Sequence, residues 1–438
     1  MRIVLEKEFE ALIQASAQAS AGGGARASGS MTPRERFRRC MHFQSVDRVP
    51  HWEFGYWDET IRRFHAEGLP AKYADNWSVE EYFGCEHPTY VPLKLGTINA
   101  RKQVVVEERG NTKIVRDGLG TLQEVIRQGA GTIPHYLEFP VRNRETWRAF
   151  RDEFLPLDLD KRLPAADAPA AKDASRSLTT AEAQKSAADA GGAGAVGSGL
   201  AAIGARLLRS EVPVGVSIGS YLGWIRNWVG FENIALMFYD DPELIEEMVA
   251  HVAGIARTVL ERTLPHVSAD FAAGWEDICY NSGPICSPEM FDAIVMPHLR
   301  PVLKLLRTHG VDVIYTDCDG DITKLVPLWI GAGQNGMFPI EVRGGTDPVR
   351  LRKEYGHDVV LIGGFDKMAL LKGRAAILAE LKRLEPVVAD GGFIPHVDHR
   401  VQADVGYDTY RYFVREKLVM CGWKKQDIEA IEPLRDVR

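Results

Sequence analysis

The feature that most constrains the fold is a regular alternation that sets in after Ala202. Short apolar runs at residues 212–218, 270–275, 311–316, 336–342, 359–364 and 392–396 are each followed by a stretch of helical character. Those stretches cover residues 242–264, 288–310, 322–332, 347–355, 374–388 and 407–419. Strands separated by helices cannot pair as hairpins; each chain segment crosses over and returns parallel to the last. A further strand signal at residues 48–54 makes seven, with an eighth to be found, so a closed (β/α)8 TIM barrel is the expected fold. A doubly wound open sheet uses the same units, but no GxGxxG follows a strand and no GxxxxGK[ST] is present.

Three parts depart from the alternation. Residues 1–30 combine a short charged stretch with Ala, Gly and Ser, and read as a flexible N-terminal arm. Ordered sequence begins at Met31, where Thr32-Pro33-Arg34-Glu35 forms a capping box with proline at the first helical position. Residues 86–140 carry β-rich segments separated by glycines and read as an antiparallel insertion. Residues 159–202 hold almost no large apolar side chain, so they are expected to form a disordered loop without catalytic residues. The expected organisation is therefore one barrel domain over residues 31–438.

Bulk properties exclude several function classes. The formal net charge of -7, without any lysine- or arginine-rich run, argues against nucleic acid as a partner. The six cysteines are scattered without a CxxC pair, which fits a reducing compartment and no disulfide framework. No apolar run approaches the roughly 18–20 residues that span a bilayer, and Glu6, Lys7, Glu8 and Glu10 interrupt any secretory leader. A cytoplasmic protein without membrane contact is expected.

Ionisable residues collect just after the strand signals, at the end of a parallel barrel where catalytic groups gather. Asp317 and Asp319 alternate along one strand end and so share a side, which suits either a cation or two carboxylates with split pKa values; the plain alternative is a strand-end turn, with Asp321 capping the next helix. Cys318, between them, is expected to point away. His396 and Asp398 also share a face, with His399 adjacent, and suit zinc ligation, proton relay or anchoring of the last loop. Glu276 is a candidate acid, and Asp277 its orienting neighbour. Glu341, Asp366 and Lys367 are candidate substrate contacts, though Asp366 and Lys367 equally read as a surface ion pair. Glu53 joins that set, with Trp52, Tyr56 and Trp57 as walls for a planar substrate or as core.

Several stretches taken together resemble the uroporphyrinogen decarboxylase superfamily: TPRERF followed by DRVPHWEFGYW, then GFENIALMFYDDPELIEEM, DCDGDITKLVPLWIGAGQNGMFPIEV, IGGFDK and GGFIPHVDHRVQADV. The resemblance implies a distorted (β/α)8 barrel. Porphyrinogen decarboxylases carry an arginine-rich RQAGR motif after the first strand, where this chain reads Trp52-Glu53-Phe54-Gly55-Tyr56-Trp57 without arginine. It is therefore more similar to the cobalamin- and corrinoid-dependent methyltransferases. Those hold zinc through a His-x-Cys at one strand end and a cysteine near the last. The corresponding positions here are Asp317, Asp319 and residues 396–399, so the resemblance implies a harder ligand set drawn from Asp317, Asp319, His396 and Asp398.

The implied activity is metal-assisted methyl transfer from a small methoxylated or methylamine-type donor to a corrinoid on a partner protein. Glu276, Asp317, Asp319, His396 and His399 would be catalytic, and a homodimer is compatible. The alternatives are a metal-free carboxy-lyase using the same carboxylates as acids, and a noncatalytic tetrapyrrole- or corrinoid-binding protein.

Overall fold

The computed structural model describes residues 30–126, 134–165, 168–169 and 196–437. Most of the expected N-terminal arm and the middle of the expected 159–202 loop lie outside them. The thirteen strands among the described residues run β1 Thr89–Tyr90, β2 Val104–Arg109, β3 Thr112–Arg116, β4 Leu122–Ile126, β5 His135–Glu138, β6 Val214–Gly219, β7 Phe271–Trp275, β8 Cys279–Tyr280, β9 Gly283–Pro284, β10 Ile314–Asp317, β11 Gly336–Phe338, β12 Val360–Phe365 and β13 Phe393–Val397.

Seven of them form one curled parallel sheet in the order β1-β6-β7-β10-β11-β12-β13. Every residue of β6, β7, β10, β12 and β13 is buried, as expected of parallel strands covered on both faces. All six late strand signals are thus strands of this sheet, each ending within a few residues of the expected position.

The expected first strand is the exception. Residues 51–56 run extended between the two outer strands, but they form no ladder. Glu86 donates its N–H to His51 O at 2.8 Å on the β1 side. On the β13 side there is a single parallel bridge, Tyr56 to Val401. The reason is local: the Trp52 carbonyl accepts from the buried Lys417 ammonium at 3.0 Å, and Gly55 turns the chain at φ 98°. The strand the sequence pattern does not reveal is β1, which is only two residues long.

Two boundaries are corrected. The antiparallel insertion is a four-stranded sheet, β2-β3-β4-β5, and starts only at Val104; β1, inside the span expected for it, belongs to the parallel sheet. The 159–202 stretch is entered by a helix at each end, Leu159–Arg162 and Val196–Leu208. Arg162 is buried and its guanidinium donates to the carbonyls of Pro156, Lys94 and Gly96 at 2.9 Å each. Leu163, Leu200 and Ile203 are core residues, so the small-residue composition hides elements that pack through a few large side chains.

Helix signals translate closely. Thr32 accepts from Glu35 N at 3.1 Å and caps the helix Pro33–Met41. The expected 288–310 helix is divided at Val295 into Pro288–Ile294 and Met296–Thr308, because Pro297 has no N–H with which to continue the first. Inside the sheet an aromatic layer fills the space: Phe271 stacks on Tyr315 at 5.6 Å and meets Tyr90 edge-on at 5.3 Å. Above that layer the strand ends turn polar.

Candidate active site

Asp317 is the last residue of β10 and sits two positions beyond Tyr315, on the same side of the strand. It is buried, and its Oδ2 has no hydrogen-bond partner. Burial, then the nearby Asp319 and Asp277 carboxylates, push its pKa well above the usual carboxylate range. Asp319 differs. Its Oδ2 lies 3.2 Å from His399 Nε2, which comes just after β13. Burial opposes its ionisation, but the His399 charge and hydrogen bond, with Lys367 and Arg226 beyond, outweigh that and lower its pKa. Burial opposes the charge on His399 too, yet Asp319 raises the pKa of the ring. The two aspartates on either side of Cys318 are therefore driven to opposite protonation states.

Asp277 borders the same mouth. It lies just beyond β7 with φ 45°, a left-handed conformation that Asp tolerates better than most residues. Arg226, from the helix Gly223–Val229, donates to Asp277 Oδ2 at 3.0 Å and to Tyr280 OH at 3.3 Å. Burial and Asp319 still leave the Asp277 pKa raised. Trp57 stacks on His399 at 5.8 Å, and Arg400 lies over the Trp57 ring at 5.3 Å. Phe54 meets His399 edge-on at 5.3 Å. Along the β11–β12 side, Lys367 Nζ pairs with Glu341 Oε1 at 2.5 Å, while Glu341 Oε2 accepts from Gly320 N at 3.0 Å.

The expected site residues divide sharply. Asp317, Asp319, His399, Trp57, Glu341 and Lys367 gather at the mouth. Glu276 does not join them as a free acid: its oxygens accept from the N–H groups of Tyr221, Leu222 and Gly223 at 2.7, 2.8 and 2.9 Å. It closes the start of the Gly223–Val229 helix, and burial still holds its pKa up at about 7 despite those bonds. Asp398 is likewise occupied, accepting from Val342 N at 2.9 Å and Lys367 N at 3.1 Å. It ties two loops to the end of β13.

Trp52 and Tyr56 take the plain reading. Trp52 stacks on Phe37 at 5.3 Å in the core, and Tyr56 OH pairs with Tyr410 OH at 2.9 Å. Glu53 is fully buried against Lys417. Asp366 pairs with Arg343 at 2.6 Å on the exterior. His396 is buried one layer below the mouth, stacked on Phe54 at 6.2 Å. Asp321 accepts from Thr323 N at 3.0 Å, closing a turn ahead of the Val326–Ala332 helix. Cys318 is buried in the core.

The expected metal set is not assembled. Among the described residues no three His, Cys, Asp or Glu side chains stand together in a way that could hold a cation. The causes are visible: Asp398 is spent on backbone amides, His396 lies below Phe54, and Asp319 is turned to His399. As they stand, these four side chains form no cation site among the described residues. Sequence reasoning missed Phe54, Arg226 and Arg400. Arg400 closes the HVDHR run, and its position one residue after His399 is the signal that would have found it.

Residues 161–416, more than half of the chain, match the family described as Uroporphyrinogen decarboxylase (URO-D). No curated protein matches. Among solved structures, a methyltransferase from Methanosarcina mazei superposes with a TM-score of 0.50 at 13% identity, covering 89% of this chain and 98% of that one. At that identity the likeness speaks for the fold. The mouth residues from Arg226 to Arg400 all lie inside the matched span, and the chain belongs to the uroporphyrinogen decarboxylase family.

Proposed function

We propose that this chain is an enzyme that removes a methyl group from a small methoxylated or methylamine-type molecule, with Asp317 as the proton donor. The observation that carries the reading is the split pair: a buried Asp317 with a free Oδ2 and a raised pKa, beside Asp319 ionised against His399. A methyl group leaves oxygen or nitrogen readily only if the heteroatom gains a proton as the bond breaks, and a positioned acid typically contributes about a hundred- to ten-thousand-fold. Asp317 is protonated where Asp319 is not, as two interacting carboxylates in different environments require.

The remaining residues orient. Trp57, clamped between His399 and Arg400, supplies a flat wall. Lys367 and Arg226 hold positive charge near Asp319, so that Asp317 rather than Asp319 keeps the proton. A corrinoid acceptor is part of the same proposal. Phe231 is exposed and packs on Tyr280 at 4.9 Å, and Tyr280 OH accepts from Arg226; this apolar edge would fit the rim of a broad macrocycle. When bound, a reduced corrinoid would supply the nucleophile that takes the methyl group.

A second reading is supported by Arg226, Arg400 and Lys367: cations around an acid also suit a carboxylate substrate that loses CO2 and is protonated by Asp317. One anaerobic experiment separates the two. Purified enzyme is mixed with cob(I)alamin and a panel of methylated donors, monitoring the cobalt spectrum, and in parallel with carboxylated substrates, monitoring CO2. Methyl-cobalt formation that Asp317→Asn abolishes supports methyl transfer. CO2 release without methyl-cobalt formation sinks it in favour of the lyase.

A further inference from the structure

Beneath the mouth lies a second polar space. A chamber of about 60 Å³ is lined by Trp52, Phe54, Tyr315, Phe338, Glu53 and His396, among others. One water requires roughly 10–15 Å³ of such volume, so the space takes a cluster of waters or an organic molecule of a few heavy atoms.

Among its lining atoms, His396 Nε2 and Glu53 Oε2 have no hydrogen-bond partner. Both side chains are fully buried, and buried polar atoms in native proteins are nearly always satisfied. The chemistry of the two atoms is defined by their neighbours. His396 Nδ1 lies 2.7 Å from the Val397 carbonyl, which can only accept, so Nδ1 carries the ring proton and Nε2 is a bare acceptor. Burial holds the ring neutral, its pKa lowered to about 3. Glu53 Oε1 is engaged by Lys417, leaving Oε2 as the second acceptor. Lys417 holds one face of the Glu53 carboxyl, and Glu80, Glu86 and His87 also line the space. Aromatic faces make up much of the remaining wall.

We propose that this chamber binds a small molecule through an N–H or O–H headgroup, an amine or alcohol of a few heavy atoms, with His396 Nε2 and Glu53 Oε2 as its acceptors. Phe54 forms the boundary with the mouth, stacked on His396 below and edge-on to His399 above. Tyr315 lines the chamber while Asp317 stands two residues on, at the strand end. The chamber therefore borders the strand whose end carries the proposed proton donor. This narrows the substrate class of the reading above to small amines and alcohols rather than methoxyarenes, and it rests on that reading only for what becomes of the ligand.

The test is a titration of the full chain carrying ¹⁵N-labelled histidine, with the His396 ring signals assigned by their loss in His396→Phe. Methanol and methylamine are the probes, and acetonitrile is the donor-free control. The expected result is a saturable shift of His396 Nε2 with both probes, none with acetonitrile, and at least a roughly tenfold weaker response in Glu53→Gln. A linear drift, or an equal response to acetonitrile, overturns the proposal and leaves a water-filled chamber. If Glu53→Gln fails to fold around the unpaired Lys417, Glu53→Gln with Lys417→Met serves in its place. Saturable binding without methyl transfer retains the chamber and sinks the activity. Methyl transfer from a methoxyarene with a flat His396 titration retains the activity and sinks the chamber.

Discussion

His399 Nε2 stands 3.2 Å from Asp319 Oδ2, and this contact joins the end of β13 to the loop after β10. It gives Asp319 a reason to stay ionised while Asp317, two residues away, has every reason to stay protonated.

That division sets a pH dependence. Asp319 has a lowered pKa, so its contribution is present above the ordinary aspartate range and is lost as pH falls through the lowered value. His399 has a raised pKa, so its contribution is present below the ordinary histidine range and is lost as pH rises through the raised value. The pair is charged between those limits. Activity that needs it shows an alkaline limb above the usual histidine pKa near 6.5, and Asp319→Asn moves that limb downward. The pH dependence of kcat/KM in the two proteins checks this; an unmoved limb counts against the pair.

Asp317 itself carries the opposite sign. A carboxyl whose folded pKa is raised keeps its proton while the unfolded chain loses it, so it costs stability increasingly as pH rises above about 4. Asp317→Asn should therefore melt higher than the parent at neutral pH, with the gap closing in acid. The same substitution should lower turnover by about a hundred- to ten-thousand-fold with substrate affinity little changed. A destabilised but active Asp317→Asn would contradict both halves.

Glu276 separates structure from chemistry. Removing its carboxylate in Glu276→Ala strands three backbone N–H groups, each worth about 1–3 kcal/mol if left buried and unpaired. Chemical denaturation should show a loss of about 3 kcal/mol or more, and the fraction that remains folded should keep near-parental turnover. Full stability with lost activity would return Glu276 to the catalytic set.

The donor geometry makes a prediction about cations as well. Since Asp398 and His396 are turned away from Asp319, dialysis against a chelator is expected to leave melting temperature and turnover unchanged. One zinc per chain that is lost in Asp319→Ala would restore the ligand set implied by the resemblance.

The strands of the parallel sheet were legible because burial on both faces writes continuous apolar runs, as in Val360–Phe365. The mouth was legible for the same reason: polar residues at the ends of such runs have few places to go. What the sequence could not reveal was direction. Glu276 directly follows β7 and Asp317 ends β10, yet one meets three backbone amides across the fold and the other meets none among the described residues. Lys417, far along the chain, removes Glu53 from the mouth. Such pairings join segments from 53 to 364 residues apart, which spacing does not encode. Elements that pack through one or two large side chains, such as Leu159–Arg162, escape composition altogether.

The protonation state of Asp317 is read from the infrared difference between the parent and Asp317→Asn at neutral pH. Other carboxyls with raised pKa values, Glu276 and Asp398 among them, are common to both proteins and cancel. The parent is expected to show the C=O band of a protonated carboxylic acid that the variant lacks, and this band to persist as pH rises beyond neutrality. A difference spectrum showing only the loss of an ionised carboxylate would contradict it, and Asp317 could not then be the acid of this site.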